Sequence, residues 1–459
     1  MKQFTFEGKT KTVLGAIMAL GVLCLILTAV GDDDYYTRTW SNYLNNTVFF
    51  VGIAFISLFI IAAFTTAYAG WHTVVKRVWE SFSLFLIPGL VLLVVLIVGV
   101  LFDWNHLYHW ADEASVANDV ILTGKSSFLN NTWYGLGTII VVGVWIFFAV
   151  RLRNLSLEMD ADGDEDYDQY KKIKFVSATF LPIAGFTSVA MIWQWVMSVD
   201  AHWYSTMFGW YATASWFVAA MALTIMLLIW LKSKGYYEKV SVEHFHDLGK
   251  YLFAFSIFWT YVWFSQYMLI WYSNNGEETV YFFTRMHEYP VLYWGNLILN
   301  FVLPFLVLLR NDTKRKMGTL FAVSLIVFIG HWFDFFQMIK PGVLHTAHEL
   351  HEMHTGNHDD LSDAAHLSNT DDKHAEVAHD DHTADAKDDH AIEENHAEEG
   401  HGEHGSSFKM GFHFPGLLEL GTMLGFLAGF LFFALGRLEK ANLVPENHPF
   451  INESEHHHV

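Results

Sequence analysis

Between Val13 and Val30 the chain carries no charged side chain, and apolar runs of similar length return nine more times before its end. They fall at about residues 12–30, 47–70, 82–102, 135–150, 175–198, 209–231, 249–272, 289–309, 317–339 and 412–436. Stretches such as Val91–Leu101 (VLLVVLIVGVL) are apolar on every face, which a water-facing helix cannot be. A run of ~20 apolar residues crosses a hydrocarbon core of ~30 Å. The pattern predicts an all-α polytopic membrane protein with about ten transmembrane helices. Composition agrees: 53% of the 459 residues are hydrophobic and 17% aromatic, a load that soluble chains of this length rarely carry.

Charge orients the spans, because cytoplasmic connections accumulate Lys and Arg. One set of connections holds 20 of the 27 Lys and Arg residues, and the other holds seven: Arg38, Lys125, Arg285, Lys340, Lys373, Lys387 and Lys409. Both termini are therefore expected in the cytoplasm. The first run exceeds a signal-peptide core and no small-x-small cleavage site follows it, so it reads as the first span. The chain divides into a cytoplasmic tail (1–11), spans one to nine (12–340), an extracytoplasmic loop (341–411), span ten (412–436) and a second cytoplasmic tail (437–459). Most of the net charge of −21 sits in that loop, where residues 345–404 hold 13 His, 18 Asp or Glu and 2 Lys. With almost no large apolar residues it is expected to be a disordered acidic tether. His345, His348, His351 and His354 recur at i, i+3 and would offer weak Zn²⁺ or Cu²⁺ uptake if helical.

Cys24 is the single cysteine, which excludes an internal disulfide, a thiolate-held iron–sulfur cluster and a c-type haem attachment site in this chain. His331 is the one histidine well inside a predicted span, so a bis-histidine b-type haem is not expected either. Ionisable groups inside spans are costly and are therefore functional candidates. Span five ends in Gln194, Asp200 and His202, and span nine reads GHWFDFFQM, placing His331, Asp334 and Gln337 on one face. Span seven carries Ser256, Trp259, Trp263 and Gln266 as a stripe, span eight has Asn296 and Asn300 four apart, and span ten holds Glu419. Carboxylates and an imidazole at one depth, with amide donors and aromatic walls, suit either a proton pathway or a quinone pocket. Tryptophans and tyrosines at span ends, Trp210 and Tyr211 among them, read as the interfacial aromatic belt.

The stretch WVMSVDAHWYSTMFGWY (Trp195–Tyr211), together with GHWFDFFQMIKPG (Gly330–Gly342), resembles the NrfD-like membrane subunits of alternative complex III, a bacterial quinol:cytochrome c oxidoreductase. It is closer to the smaller, ActF-type subunit, and the likeness extends over all ten spans and the His-rich loop. The resemblance implies two four-helix bundles, spans two to five and six to nine, flanked by additional helices. It implies as partners a sister NrfD-like subunit, an iron–sulfur subunit and multihaem and monohaem cytochromes c, with a terminal oxidase as a further candidate. Haem c and iron–sulfur clusters would lie in those partners, and the quinol site generally in the sister subunit. Asp200 and Trp203 match the family's acidic-residue-before-Trp motif. A proton half-channel, proposed for both NrfD-like subunits, would suit Asp200, His331 and Asp334.

The expected function is thus a membrane subunit of a respiratory quinol oxidoreductase with no redox centre of its own. The alternatives are a scaffold with no proton or quinone site, and a metal-cation transporter suggested by the His-rich loop. The proton or quinone candidates are Asp200, His202, His331, Asp334, Gln337, Gln266 and Glu419.

Overall fold

A computed structural model describes residues 3–162, 167–355 and 414–457. Among these, every regular element is helical, and ten helices are long and apolar enough to cross a membrane. They run Gly8–Val30, Thr37–Thr66, Lys76–Leu101, Trp133–Ala161, Asp168–Val199, Thr206–Ser233, Val242–Ser273, Pro290–Leu308, Met317–His348 and Leu417–Leu438. The protein is a multi-pass helical membrane protein. Its ends meet: the Phe6 N–H donates to Glu439 Oε1 at 2.8 Å, and Lys11 lies 3.7 Å from Glu439 Oε2. Spans one and ten therefore start and finish on one face, called here the terminal face.

Several spans are longer than hydropathy alone predicted, and pairing is the physical reason. Span two begins at Thr37 rather than near 47: Asn42, Asn45 and Asn46 are buried, and the half-buried Arg38 is paired across to span ten. Arg38 meets Glu419 of span ten at 2.6 and 3.1 Å, and Asn46 accepts the Trp332 indole N–H at 3.0 Å. Span three begins at Lys76 rather than 82, its charged first turn closed among neighbours. Span ten is shifted to Leu417–Leu438 from the expected 412–436. The helix of span nine continues past Pro341 to Thr355, where a loop was expected from 341. The rest of the acidic loop, from 356 to 413, lies outside the described residues, and so does the disorder expected of it, whereas the backbone carrying His345, His348, His351 and His354 is helical, the condition under which their spacing puts them on one face. The chain divides into a body (1–347 and 411–459) and the segment 348–410, of which only the helical stretch to Thr355 is described.

Within the body, span two packs on spans three and five and span four on spans three and five, as the first expected bundle requires. Spans six and seven pack together, and seven packs on eight. Spans two and six are the most enclosed and join the two groups, Gly52 lying flat under the Trp216 ring where any Cβ would overlap it. Without a hydrophobic drive between helices in lipid, such close packing is what holds spans together. Spans one and ten use the same device, Gly21 resting on Gly425 and Gly421 on Cys24.

Candidate functional site

The fold converges on Asp334, which is fully buried about midway along span nine. An uncompensated carboxylate there would be very costly, so its donors are the first question. The Tyr211 hydroxyl donates to Oδ1, the Trp259 indole N–H donates to Oδ2 at 2.9 Å, and Asn296 Nδ2 lies 3.4 Å from Oδ1. Asn296 also donates to Gln337 Oε1 at 2.6 Å, one turn further along span nine. His331, one turn the other way, places Nδ1 3.9 Å from Asp334 Oδ2 and shares a 2.8 Å hydrogen bond with Ser215. Spans six, seven, eight and nine each contribute, which is the second expected bundle. The donors from the other spans are all neutral, and His331 is a neighbour of the carboxylate that can itself take up a proton.

Two prolines open the backbone at this site. Pro341 lacks the N–H that would bond the Gln337 carbonyl, and Pro304 lacks the one for Asn300. Span eight responds with a wider π-type turn over Ile298–Val302, a distortion often found at functional sites. Asn300 sits in that turn, tight against Gly330, and both of its amide atoms make no hydrogen bond among the described residues. His331 Nε2, Ser256 Oγ and Ser324 Oγ are likewise buried and unpartnered. All four lie on the terminal-face side of Asp334 along their spans, so polar groups continue inward from the carboxylate.

In the opposite direction the site reaches Asp200 through Arg285. The helix Gly276–His287 presents Arg285, which is buried, with its guanidinium 3.3 Å from the Tyr281 ring centroid. It donates to the carbonyls of Tyr281 (3.1 Å) and Met338 (3.3 Å), and its Nη1 lies 3.8 Å from Asp200 Oδ2. Tyr281 stacks on Trp203 at 3.7 Å, and burial pushes its phenol up to about 12, so it remains a donor at neutral pH. Arg285 lines a cavity together with Tyr211, Gln266, Tyr293 and Gln337, with room for about one water molecule. A quinone ring does not fit there.

Of the sequence-predicted residues, Asp334, His331, Gln337 and Gln266 come together, and Asp200 joins at one remove through Arg285. His202 does not: it points away and pairs with Asp119 at 2.5 Å, while Lys125 donates to the carbonyls of Ala201 (2.6 Å) and His202 (3.3 Å). Glu419 is also separate, caught by Arg38 and by the Gly416 N–H at 2.8 Å at the start of span ten. Tyr211, expected in the aromatic belt, is instead a ligand of Asp334, and Arg285, counted as a loop cation, is buried. Their helix register next to polar neighbours was the available signal.

A second buried carboxylate escaped the sequence reading. Glu80, in the first turn of span three, accepts from Ser156 at 2.7 Å, from Arg77 at 2.6 Å and from Arg153, with Lys76 3.7 Å away. Arg77 also pairs with Asp160. The string KRVWE (Lys76–Glu80) resembled a cytoplasmic loop because composition cannot reveal that its charges are paired in space.

A scan against protein-family models finds no match for this chain, and a search of curated proteins finds no significant relative. Among the described residues no three His, Cys, Asp or Glu side chains are grouped to hold a metal ion.

Proposed function

We propose that this chain is an integral membrane subunit of a quinol:cytochrome c oxidoreductase of the alternative complex III type, and that it carries part of a proton pathway. The observation behind the proton role is Asp334, a carboxylate inside the bilayer region held by neutral donors with His331 at 3.9 Å. Two groups that each bind one proton, flanked by unpartnered polar atoms on one side and by Arg285 and Asp200 on the other, are suited to pass protons along the spans. The membership rests on the resemblance of Trp195–Tyr211 and Gly330–Gly342 to NrfD-like subunits. Haem c and iron–sulfur clusters then belong to partner subunits, and quinol oxidation belongs to the sister subunit. The excess of Lys and Arg on one set of connections supports a cytoplasmic terminal face, and the resemblance supports a bacterial inner membrane.

The test is purification of the native complex from its membrane, followed by reconstitution in liposomes. The proposal expects c-type haem absorbance to co-elute with this chain, which cannot attach haem itself. It expects Asp334→Asn to assemble normally while protons released per electron fall. Absence of haem from the purified assembly defeats the complex assignment. Normal proton yield in an assembled Asp334→Asn complex defeats the pathway and leaves the second reading, a scaffold. That reading draws on the completeness of the Asp334 cage, which would also serve simply to lock four spans together.

A further inference from the structure

Span one packs on span ten through Gly21 and Gly425 and leaves a wedge between itself and spans six and nine. The wedge is an apolar groove of about 510 Å³, walled by side chains such as Leu14, Leu227, Phe328 and Leu431. It opens at the terminal face, where Glu7, Lys9, Thr10 and Lys234 form its rim. Lys9 and Lys234 have no ion-pair partner among the described residues, whereas Lys11 pairs with Glu439 and Lys232 donates to the Val240 carbonyl at 2.5 Å. On span six the lining runs from Lys234 back to Leu223, a helical length of ~16 Å, which is about half of a ~30 Å hydrocarbon core. The groove is thus one leaflet deep, greasy within and ionic at the headgroup level.

We infer that this groove binds one glycerophospholipid with a phosphoethanolamine headgroup, its acyl chain along span six, its phosphate on Lys9 and Lys234 and its amine on Glu7. Basic pockets between spans hold lipid headgroup phosphates. The single carboxylate beside the two ammonium groups sets the headgroup: a primary amine donates to Glu7, whereas a trimethylated amine has no N–H to donate and a glycerol headgroup has no charge to offer. Thr10 adds a hydroxyl donor at the same level. The site is independent of the Asp334 cluster and of the proposed function.

Delipidated full-length protein in detergent, titrated with phosphatidylethanolamine, phosphatidylcholine or phosphatidylglycerol and read by native mass spectrometry, tests this. One tightly retained phosphatidylethanolamine per chain, preferred over the other two, is expected. Lys9→Gln with Lys234→Gln lowers that affinity roughly 25-fold, on the scale of about 1 kcal/mol for each Lys beside a lipid surface. Glu7→Gln abolishes the preference over phosphatidylcholine while leaving binding in place, and Leu227→Trp, which fills the groove, removes the lipid with the rim intact. Equal retention of all three lipids by the wild-type chain overturns the inference, as does unchanged retention in the double lysine variant. A protein subunit seated in the groove of the intact complex overturns it as well. The wild-type preference alone decides the matter if a variant fails to fold.

Discussion

Asp334 and Glu80 are both carboxylates enclosed among helices, one in each bundle, yet their surroundings are opposites. Glu80 meets Arg77, Arg153 and Lys76. Asp334 meets a phenol, an indole, an amide and an imidazole. Three cations compensate the first carboxylate completely and tie spans three and four together, so its charge is part of the fold. The second is held by donors that remain neutral, so a proton can come or go without stranding another buried ion. Burial alone therefore does not mark a working carboxylate; the charge type of its partners does.

The largest effect expected from this contrast is at Glu80. Glu80→Gln leaves Arg77 and Arg153 buried with one carboxylate fewer, and removing one partner from such a cluster costs about 3–5 kcal/mol. Loss of folded protein in a detergent melt checks it, and a melt like that of the wild type would erase the distinction between the two sites. Asp334→Asn comes next. It keeps an oxygen for Tyr211 or Trp259 but brings an NH₂ group to a place built of donors, a cost of about 1–2 kcal/mol for polar groups left unsatisfied. Its melt should move less than that of Glu80→Gln while its proton yield falls more. A reversed order would make Glu80 the working group.

Asp200→Asn sharpens the comparison within the second bundle. The side chain is partly exposed and its pair with Arg285 is loose at 3.8 Å, so the expected stability loss stays below about 1 kcal/mol. Arg285 retains the Tyr281 and Met338 carbonyls and the Tyr281 ring. Assembly is preserved, and proton yield falls less than in Asp334→Asn. An equal or larger fall would place the controlling group at the surface rather than in the cage.

The smallest effect concerns the Asp119–His202 pair. Partial burial pushes the Asp119 carboxyl up, but the His202 hydrogen bond and the N–H groups of Leu122 and Ile121 outweigh it and hold the carboxyl below its ordinary value. A carboxyl lowered in the folded state adds stability that is full above its unfolded pKa and disappears as pH falls through the folded one. Hydrogen-exchange protection of the short helices Glu113–Asn118 and Val120–Lys125 should therefore be lost in acid, and His202→Gln should move that loss to higher pH. Protection insensitive to both would show that other contacts hold this connection.

The long apolar runs made the ten spans legible, and the i, i+3, i+6 spacing of His331, Asp334 and Gln337 put them on one face before any coordinates. Span boundaries failed wherever charges were paired, at Arg38 and at Lys76–Glu80, because a hydropathy window counts a charge as exposed whatever it touches. Asp200 and His202, two residues apart, looked like one unit. Beyond the last helical turn of span five the chain turns, sending one side chain to Arg285 and the other to Asp119.

The sequence by itself determined that the described residues hold ten helices long and apolar enough to cross a membrane, and which side chains share a face of each, since both follow from length and a fixed 3.6-residue period. Only the tertiary structure decided that the polar faces of spans six to nine meet at Asp334, that three cations close around Glu80, and that His202 and Glu419 lie apart. The reason is geometric. A period fixes rotation within one helix, whereas the neighbour each face meets depends on how helices pack, through contacts such as Gly52 beneath Trp216 and Gly21 against Gly425 that lie far apart in the chain.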